Sequence, residues 1–230
     1  MNTCLFLIFR LRAATLSDGD IAKLGGLLKT VPNLAKALVH TSSSASDPYV
    51  KDEVSPDLVL QLYFATPFDL EAATSHAPLH GLGSRGDLAA LANADVAQQA
   101  VLVRSFAVPE PAFGNPAGTP HCTYLVSYEG EAQDINAWLR HYLEKHTAHM
   151  VRFPGLRELE VYTRLDAVSL LPWRQLNSMQ RNKVVFDGRE ALTQALHSPV
   201  RHEMRADFQT FPPFTGPVHH YAMATRVVRP

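Results

Sequence analysis

Residues 109–120 hold Pro109, Pro111, Gly114, Pro116, Gly118 and Pro120, a run that can continue neither a helix nor the interior of a sheet. The break is constraining because the same order of patterns stands on both sides of it. Before it, the spacing predicts a strand over 5–12, a helix over 21–30 opened by Ser17-Asp18-Gly19-Asp20, strands over 35–41 and 57–66, a helix from about Pro67, and a strand over 98–108. After it come a strand over 123–128, a helix over 132–153, strands over 157–164 and 183–187, a helix over 189–197 and a last strand over 219–228. Each half reads βαββαβ, a motif in which four antiparallel strands carry two helices on one face. The bare face of each sheet needs a cover, and two such sheets can supply it for each other. The expectation is an α+β sandwich or barrel of two similar halves, 1–110 and 121–230, joined by a linker over 111–120, with a cavity between the sheets.

Composition removes several function classes. Charged residues make up 19% and the formal net charge is -1, so no basic field is available to hold a phosphate backbone, and nucleic-acid binding is not expected. The apolar run Leu5-Phe6-Leu7-Ile8-Phe9 is short, no basic residue precedes it, and Arg10 and Arg12 follow it, which is the wrong order for a secretory signal. No stretch approaches the roughly 18 apolar residues of a membrane span. A soluble, cytoplasmic protein with no membrane partner is expected. Cys4 and Cys122 both sit in apolar strand-like runs, where a small buried thiol is the ordinary occupant.

The chemistry concentrates on histidine. His141, His146 and His149 fall on one helix just before Pro154-Gly155. With α-helical spacing, Tyr142, His146, His149 and Phe153 share a face and His141 points elsewhere. An imidazole needs only a small pKa shift to exchange protons near neutral pH, so His146 is the first candidate for a general base or acid, with His149 beside it. The plainer reading is that both help the last carbonyls of the helix and its negative end. His219 and His220 are adjacent on the last strand and point to opposite faces. If Tyr221 and Met223 join His219 in the lumen, His220 goes toward the helices with Ala222; the parity stays open. Lumen-facing His219 would be a second acid–base group. Asp207 could accept the second N–H of an imidazole, or cap a turn. Tyr124 and Tyr128 share a strand face, from which a phenol could donate to a developing oxyanion or simply pack. Trp138 could be a substrate platform or core. Arg157 and Arg164 could hold a carboxylate or phenolate, or end a strand in solvent.

Eleven histidines require metal to be weighed. His146-x-x-His149 with His219, His220 or a carboxylate could form a ligand set, but no Cys cluster or His-Glu-x-x-His pattern supports it. There is no glycine-rich dinucleotide or phosphate loop and no Gly-x-Ser-x-Gly elbow. No metal and no cofactor is therefore expected.

The second half resembles the EthD-like proteins of the dimeric α/β-barrel, ferredoxin-like superfamily. The resemblance is carried by Tyr124-Leu125-Val126 before Glu129-Gly130-Glu131, by Trp138, His141-Tyr142-Leu143 and His146-Thr147, and by Phe153-Pro154-Gly155-Leu156-Arg157 entering Glu160-Val161-Tyr162. Phe211-Pro212-Pro213-Phe214-Thr215-Gly216-Pro217-Val218-His219-His220-Tyr221 continues it. The first half resembles the family only in the order of its elements. What the resemblance implies is a barrel whose inner surface forms the pocket, in a superfamily of cofactor-free isomerases, cyclases, decarboxylases, dehydratases and lyases, with haem-using members and members of no assigned activity. The expected function is a cofactor-independent lyase or isomerase acting on a small aromatic or lactone compound by histidine acid–base catalysis in the lumen. His146, His149, His219 and Tyr128 would be catalytic, and Tyr142, Tyr124, His220, Asp207 and Trp138 would bind substrate. The alternatives are a non-catalytic binder of a small hydrophobic ligand, or a monooxygenase of the same superfamily. A homodimer is expected, although tandem halves could meet that need within one chain.

Overall fold

The computed structural model describes residues 3–12, 15–50, 54–84 and 86–229. The first half contributes β1 (Thr3–Arg10), α1 (Asp18–Leu28), β2 (Lys36–Ser42), β3 (Leu58–Phe64), α2 (Pro67–Ala73), α3 (Ala77–His80) and β4 (Asp95–Phe106). The second contributes β5 (His121–Tyr128), α4 (Ile135–His141), a π-helical turn (Tyr142–His146), α5 (Thr147–Met150), β6 (Leu156–Arg164), the two-residue β7 (Arg174–Gln175), β8 (Gln180–Phe186), α6 (Arg189–Leu196), α7 (Pro199–Phe208) and β9 (Val218–Val228).

The local chemistry explains the boundaries. Ser17 caps α1 and Asp20 returns the bond to the Ser17 backbone, a reciprocal box at the helix start expected from Ser17-Asp18-Gly19-Asp20. Asp134 caps α4 by accepting from the amides of Asn136 and Ala137. Gly155, at φ 73°, supplies the left-handed turn into β6. The helix α7 replaces what the sequence pattern left as an irregular approach to the last strand. Its start, Ser198-Pro199, and its apolar positions Val200, Met204 and Phe208 at intervals of four were readable signals.

Strand order runs β1-β3-β2-β9-β5-β8-β6-β4, with β1 also pairing β4, so eight strands close on themselves and β7 adds in parallel to β4. Each half thus holds its four strands in the order fourth, first, third, second. The halves join through antiparallel pairings of β2 with β9 and of β4 with β6. Closure leaves these eight strands without an open edge. It also explains why β3 and β8 are buried at every residue: one face meets helices and the other meets the lumen.

The lumen is packed through its middle, contrary to the expected cavity between the sheets. Cys4, Phe6, Leu38, Val59, Tyr63, Leu125, Tyr162 and Met223 fill it together with buried polar side chains. Lys183, fully buried, lies 2.9 Å from Glu158 and 3.1 Å from Glu160. Tyr63 and Tyr162 both donate to Glu160, at 2.7 and 2.6 Å. Gln61 links these phenols to His40, so residues of both halves share one network. A buried lysine and carboxylate are tolerable only with partners of this kind. On the helix side the first half packs Leu5, Leu7, Phe9, Leu58, Leu60 and Leu62 against α1 and its neighbours, with Gln98 the buried polar side chain opposite Leu7, held by the Leu171 and Trp173 carbonyls.

Candidate functional site

The second half is different on its helix side. Where Leu60 pairs with Leu7 in the first half, Asn182 pairs with Val126 in the second, and Tyr124, Tyr128 and His220 stand on neighbouring strand positions. These side chains and those of the π-helical turn, α5, α6 and α7 surround a cavity of about 390 Å³. Val126, Val184, Met150, Phe153, Leu196 and Phe208 supply its apolar walls, and His146, His220, Tyr128, Tyr142, Asn182 and Arg201 its polar groups. The site lies between the sheet and the helices and not in the barrel lumen, because that is the face on which the second half exchanged aliphatic side chains for polar ones.

His146 is buried, with Nδ1 2.8 Å from Asp207 Oδ2. The other carboxylate oxygen lies 2.9 Å from Nε2 of His141. One carboxylate therefore bridges two imidazoles, and His141 does not point away. In a regular α-helix five residues separate two side chains by about 140° around the axis. The π-helical turn from Tyr142 to His146 holds one extra residue and rotates His146 back over His141. Asp207 sits in the last turn of α7 and is not a loop cap. With its Nδ1–H given to the carboxylate, the His146 ring keeps its lone pair on Nε2. Burial outweighs the pull of Asp207 and lowers the imidazole pKa to about 4, so the ring is neutral at neutral pH. Asp207 is held below the ordinary carboxylate range by hydrogen bonds from the two rings, which outweigh its own desolvation.

The phenols lie above this pair. Tyr142 accepts from Asn182 Nδ2 at 2.5 Å and touches Met150 Sδ at 3.8 Å. Burial raises both Tyr142 and Tyr128 well above the ordinary phenol value, so both remain protonated donors. Oδ1 of Asn182 is buried without a hydrogen-bond partner among the described residues. His220 faces the same cavity against the Tyr124 ring, 5.6 Å between centroids, and burial lowers it to about 3.

Other expectations fare differently. His149 lies outside the cavity, half-exposed on α5, 3.4 Å from Glu203 and in contact with Arg152. His219 faces the lumen side with Tyr221, on which it stacks, and lies 3.6 Å from Glu129. That settles the parity as Tyr221, Met223 and Ala222 suggest, with His220 toward the helices. Trp138 is fully buried and stacks on Tyr142 at 5.1 Å; it supports the phenol from behind and does not line the cavity. Arg157 is tied to Asp187 and Glu110, and Arg164 is half-exposed beside Asp166. Cys4 and Cys122 are buried free thiols, the latter raised to about 12 by burial. Among the described residues no group of three or more His, Cys, Asp or Glu side chains is placed to hold a metal ion, and no helix is long and apolar enough to cross a membrane.

Sequence reasoning missed the contribution of the first half. The loop after β2 reaches across the second half's cavity: Asp47 pairs with Arg201 at 2.9 Å and accepts from the Tyr124 hydroxyl at 2.9 Å. Tyr49 lies at the rim, its hydroxyl 2.5 Å from His202 Nδ1 and its ring under Arg201 and Arg205. A short polar loop carries no local signal that it will close a site formed by residues of the other half of the chain, the nearest of them, Tyr124, 77 positions from Asp47.

No family model and no curated protein matches the sequence. Solved structures do match in fold. An anthrone oxidase-like protein superposes with TM-score 0.63 at 12% identity, over 98% of this chain and 92% of that one. A proposed monooxygenase from Fusobacterium nucleatum gives 0.62 at 8% identity, over 99% and 94%. A mutant chlorite dismutase from Candidatus Nitrospira defluvii gives 0.52 at 12%, over 96% and 90%. At these identities the likeness is one of fold. The chain has a ferredoxin-like, dimeric α/β-barrel type of fold, with both halves of the barrel in a single polypeptide.

Proposed function

We propose that the chain is a cofactor-independent acid–base enzyme of the lyase or isomerase type, acting on a small aromatic or lactone compound bound between the second sheet and the helices from the π-helical turn to α7. The observation that carries the reading is His146: a neutral imidazole, fixed through Nδ1 by an ionised Asp207, on the wall of a largely apolar cavity. Its Nε2 would take a proton from carbon or hydroxyl of the substrate. The oxygen that gains charge would be met by Tyr142 or Tyr128, phenols too basic to ionise and therefore kept as donors. Return of the proton to another atom completes an isomerisation and loss of a β leaving group an elimination; in a decarboxylation or retro-aldol cleavage the proton comes from oxygen, the C–C bond breaks, and the protonated ring returns the proton to the carbanion or enolate left behind. Several titratable side chains converging in one cavity support an enzyme over a passive binder.

The test is proton exchange. Aromatic ketones and lactones with an acidic C–H are incubated in D2O without oxygen, and loss of that signal is followed by NMR. The intact protein should accelerate exchange of at least one compound, and His146→Ala should lose about 10²- to 10⁴-fold. Unchanged turnover in that variant removes the mechanism.

The resemblance in fold to an anthrone oxidase-like protein and a proposed monooxygenase favours a second reading, in which the carbanion formed by the same base reacts with dioxygen. An oxygen electrode separates the two: uptake coupled to substrate loss assigns the oxygenase, and anaerobic product formation assigns the lyase or isomerase.

A further inference from the structure

The barrel lumen opens at one end, where β1 finishes and β4, β8 and β9 begin, into a second cavity of about 210 Å³ that does not share a lining residue with the one under the helices. Its exposed rim carries Arg10 and Arg174 against Asp95 and Glu129, charges that balance in sign and are solvated. Its floor is Arg181, only 7% exposed.

Arg181 is an odd cation for such a place. Nε donates to Gln99 Oε1 at 2.9 Å and Nη2 to Ser178 Oγ at 2.8 Å, both neutral oxygens, while the guanidinium carbon lies 5.5 Å from the Phe6 ring. Among the described residues no carboxylate lies within ion-pair distance of it, and Nη1 has no hydrogen-bond partner. Burial lowers it to about 10 against the smaller opposing pull of the rim carboxylate Glu129, which lies beyond ion-pair distance, and it stays charged near neutrality. The other buried cations, Lys183 and Arg201, each have a carboxylate at 2.9 Å. Two neutral acceptors engage Nε and Nη2, and the guanidinium lines the cavity with Nη1 left for a further acceptor. That group fits an oxyanion, and Ile8, Ala97 and Tyr221 leave room for a compact apolar body.

We propose that the mouth of the barrel is a binding site for one small oxyanion, a monocarboxylate or inorganic phosphate, held by Arg181. The site stands apart from the His146 chemistry and does not depend on it.

Calorimetric titration of the full chain in chloride-free buffer, at constant ionic strength, with sodium benzoate and separately with sodium phosphate tests it. One-to-one saturable binding of at least one anion is expected, and which one binds distinguishes an organic from an inorganic ligand. Arg181→Gln should weaken it at least about tenfold, close to 1.4 kcal/mol, and His146→Ala should leave it unchanged. Ala97→Phe, which fills the mouth without touching the charge, should abolish it and carries the test if Arg181→Gln fails to fold. Absence of binding to the unmodified protein, or binding that survives Ala97→Phe, overturns the site.

Discussion

His141 and His146 meet on opposite oxygens of one carboxylate, that of Asp207, although five residues apart on a helix. The meeting depends on the π-helical turn between them. Asp207 raises the proton affinity of His146 against the larger, opposing effect of burial. Asp207→Asn keeps an oxygen that can accept from Nδ1 but removes the charge. The His146 imidazole should then titrate below its value of about 4, followed by the ring proton shifts in NMR, and exchange of substrate protons should slow with it. A His146 titration that is unmoved by this substitution would show that the carboxylate only fills space.

Acid should destabilise the fold before any carboxylate titrates. His146 and His40 are buried neutral, lowered to about 4 and about 3 from 6.5. Below pH 6.5 the unfolded chain takes up these two protons and the folded chain does not, so the stability present above 6.5 is lost as pH falls toward about 4. Each group contributes about 1.4 kcal/mol per pH unit in that window, roughly 3 kcal/mol together. His220, lowered to about 3, acts in the same direction. Urea unfolding at pH 7.5 and 5.5 measures the loss, and a stability that is flat across this range contradicts the neutral assignment of both rings.

The loop of the first half is tied over the second half's cavity by a buried ion pair. Asp47 and Arg201 are 4% and 11% exposed in their side chains. Asp47→Ala leaves Arg201 unpaired beside the cavity, at an expected cost of about 3 kcal/mol or more, while Asp47→Ala with Arg201→Met should recover much of that loss. Equal unfolding midpoints for the single and double variants would argue that the guanidinium is solvated through the cavity.

Most of the barrel was legible because closing a sheet imposes simple patterns. Leu58–Phe64 puts Leu58, Leu60, Leu62 and Phe64 on one face by strict alternation, and the Pro-rich break between two βαββαβ orders marks the repeat. His146, Tyr128, Tyr142 and His220 reach one cavity because strand alternation and helix spacing place them there. The misplaced residues share a cause. Nothing in Tyr142-Leu143-Glu144-Lys145-His146 announces an extra residue in the turn, so an α-helical wheel excluded His141 and included His149. Asp47 and Arg201 find each other only through the pairing of β2 with β9, which no local pattern encodes.

Gly130, part of the sequence resemblance, has a packing reason that a paired experiment can isolate. Residues 129–132 run against 214–217, with Glu129 N–H on the Pro217 carbonyl at 3.1 Å and Thr215 N–H on the Glu131 carbonyl at 2.9 Å. A Cβ at Gly130 would collide with the Thr215 carbonyl oxygen and the Gly216 amide, which are backbone atoms and cannot swing aside. Gly216 itself is at φ 79°, so the turn has little freedom to yield. The strand that leaves this contact carries Val218 and His220 into the cavity. Gly130→Ala should therefore cost about 1 to 3 kcal/mol and disturb the His220 environment. Gly26, inside α1 with nothing within 4 Å of an added Cβ, should respond with the opposite sign. There alanine lowers the entropy lost on folding and is expected to stabilise by about 0.5 to 1 kcal/mol. Thermal unfolding of the two variants side by side decides the matter: a Gly130→Ala protein as stable as Gly26→Ala would mean that the two backbones can separate at no cost, and that the position of His220 does not rest on their contact.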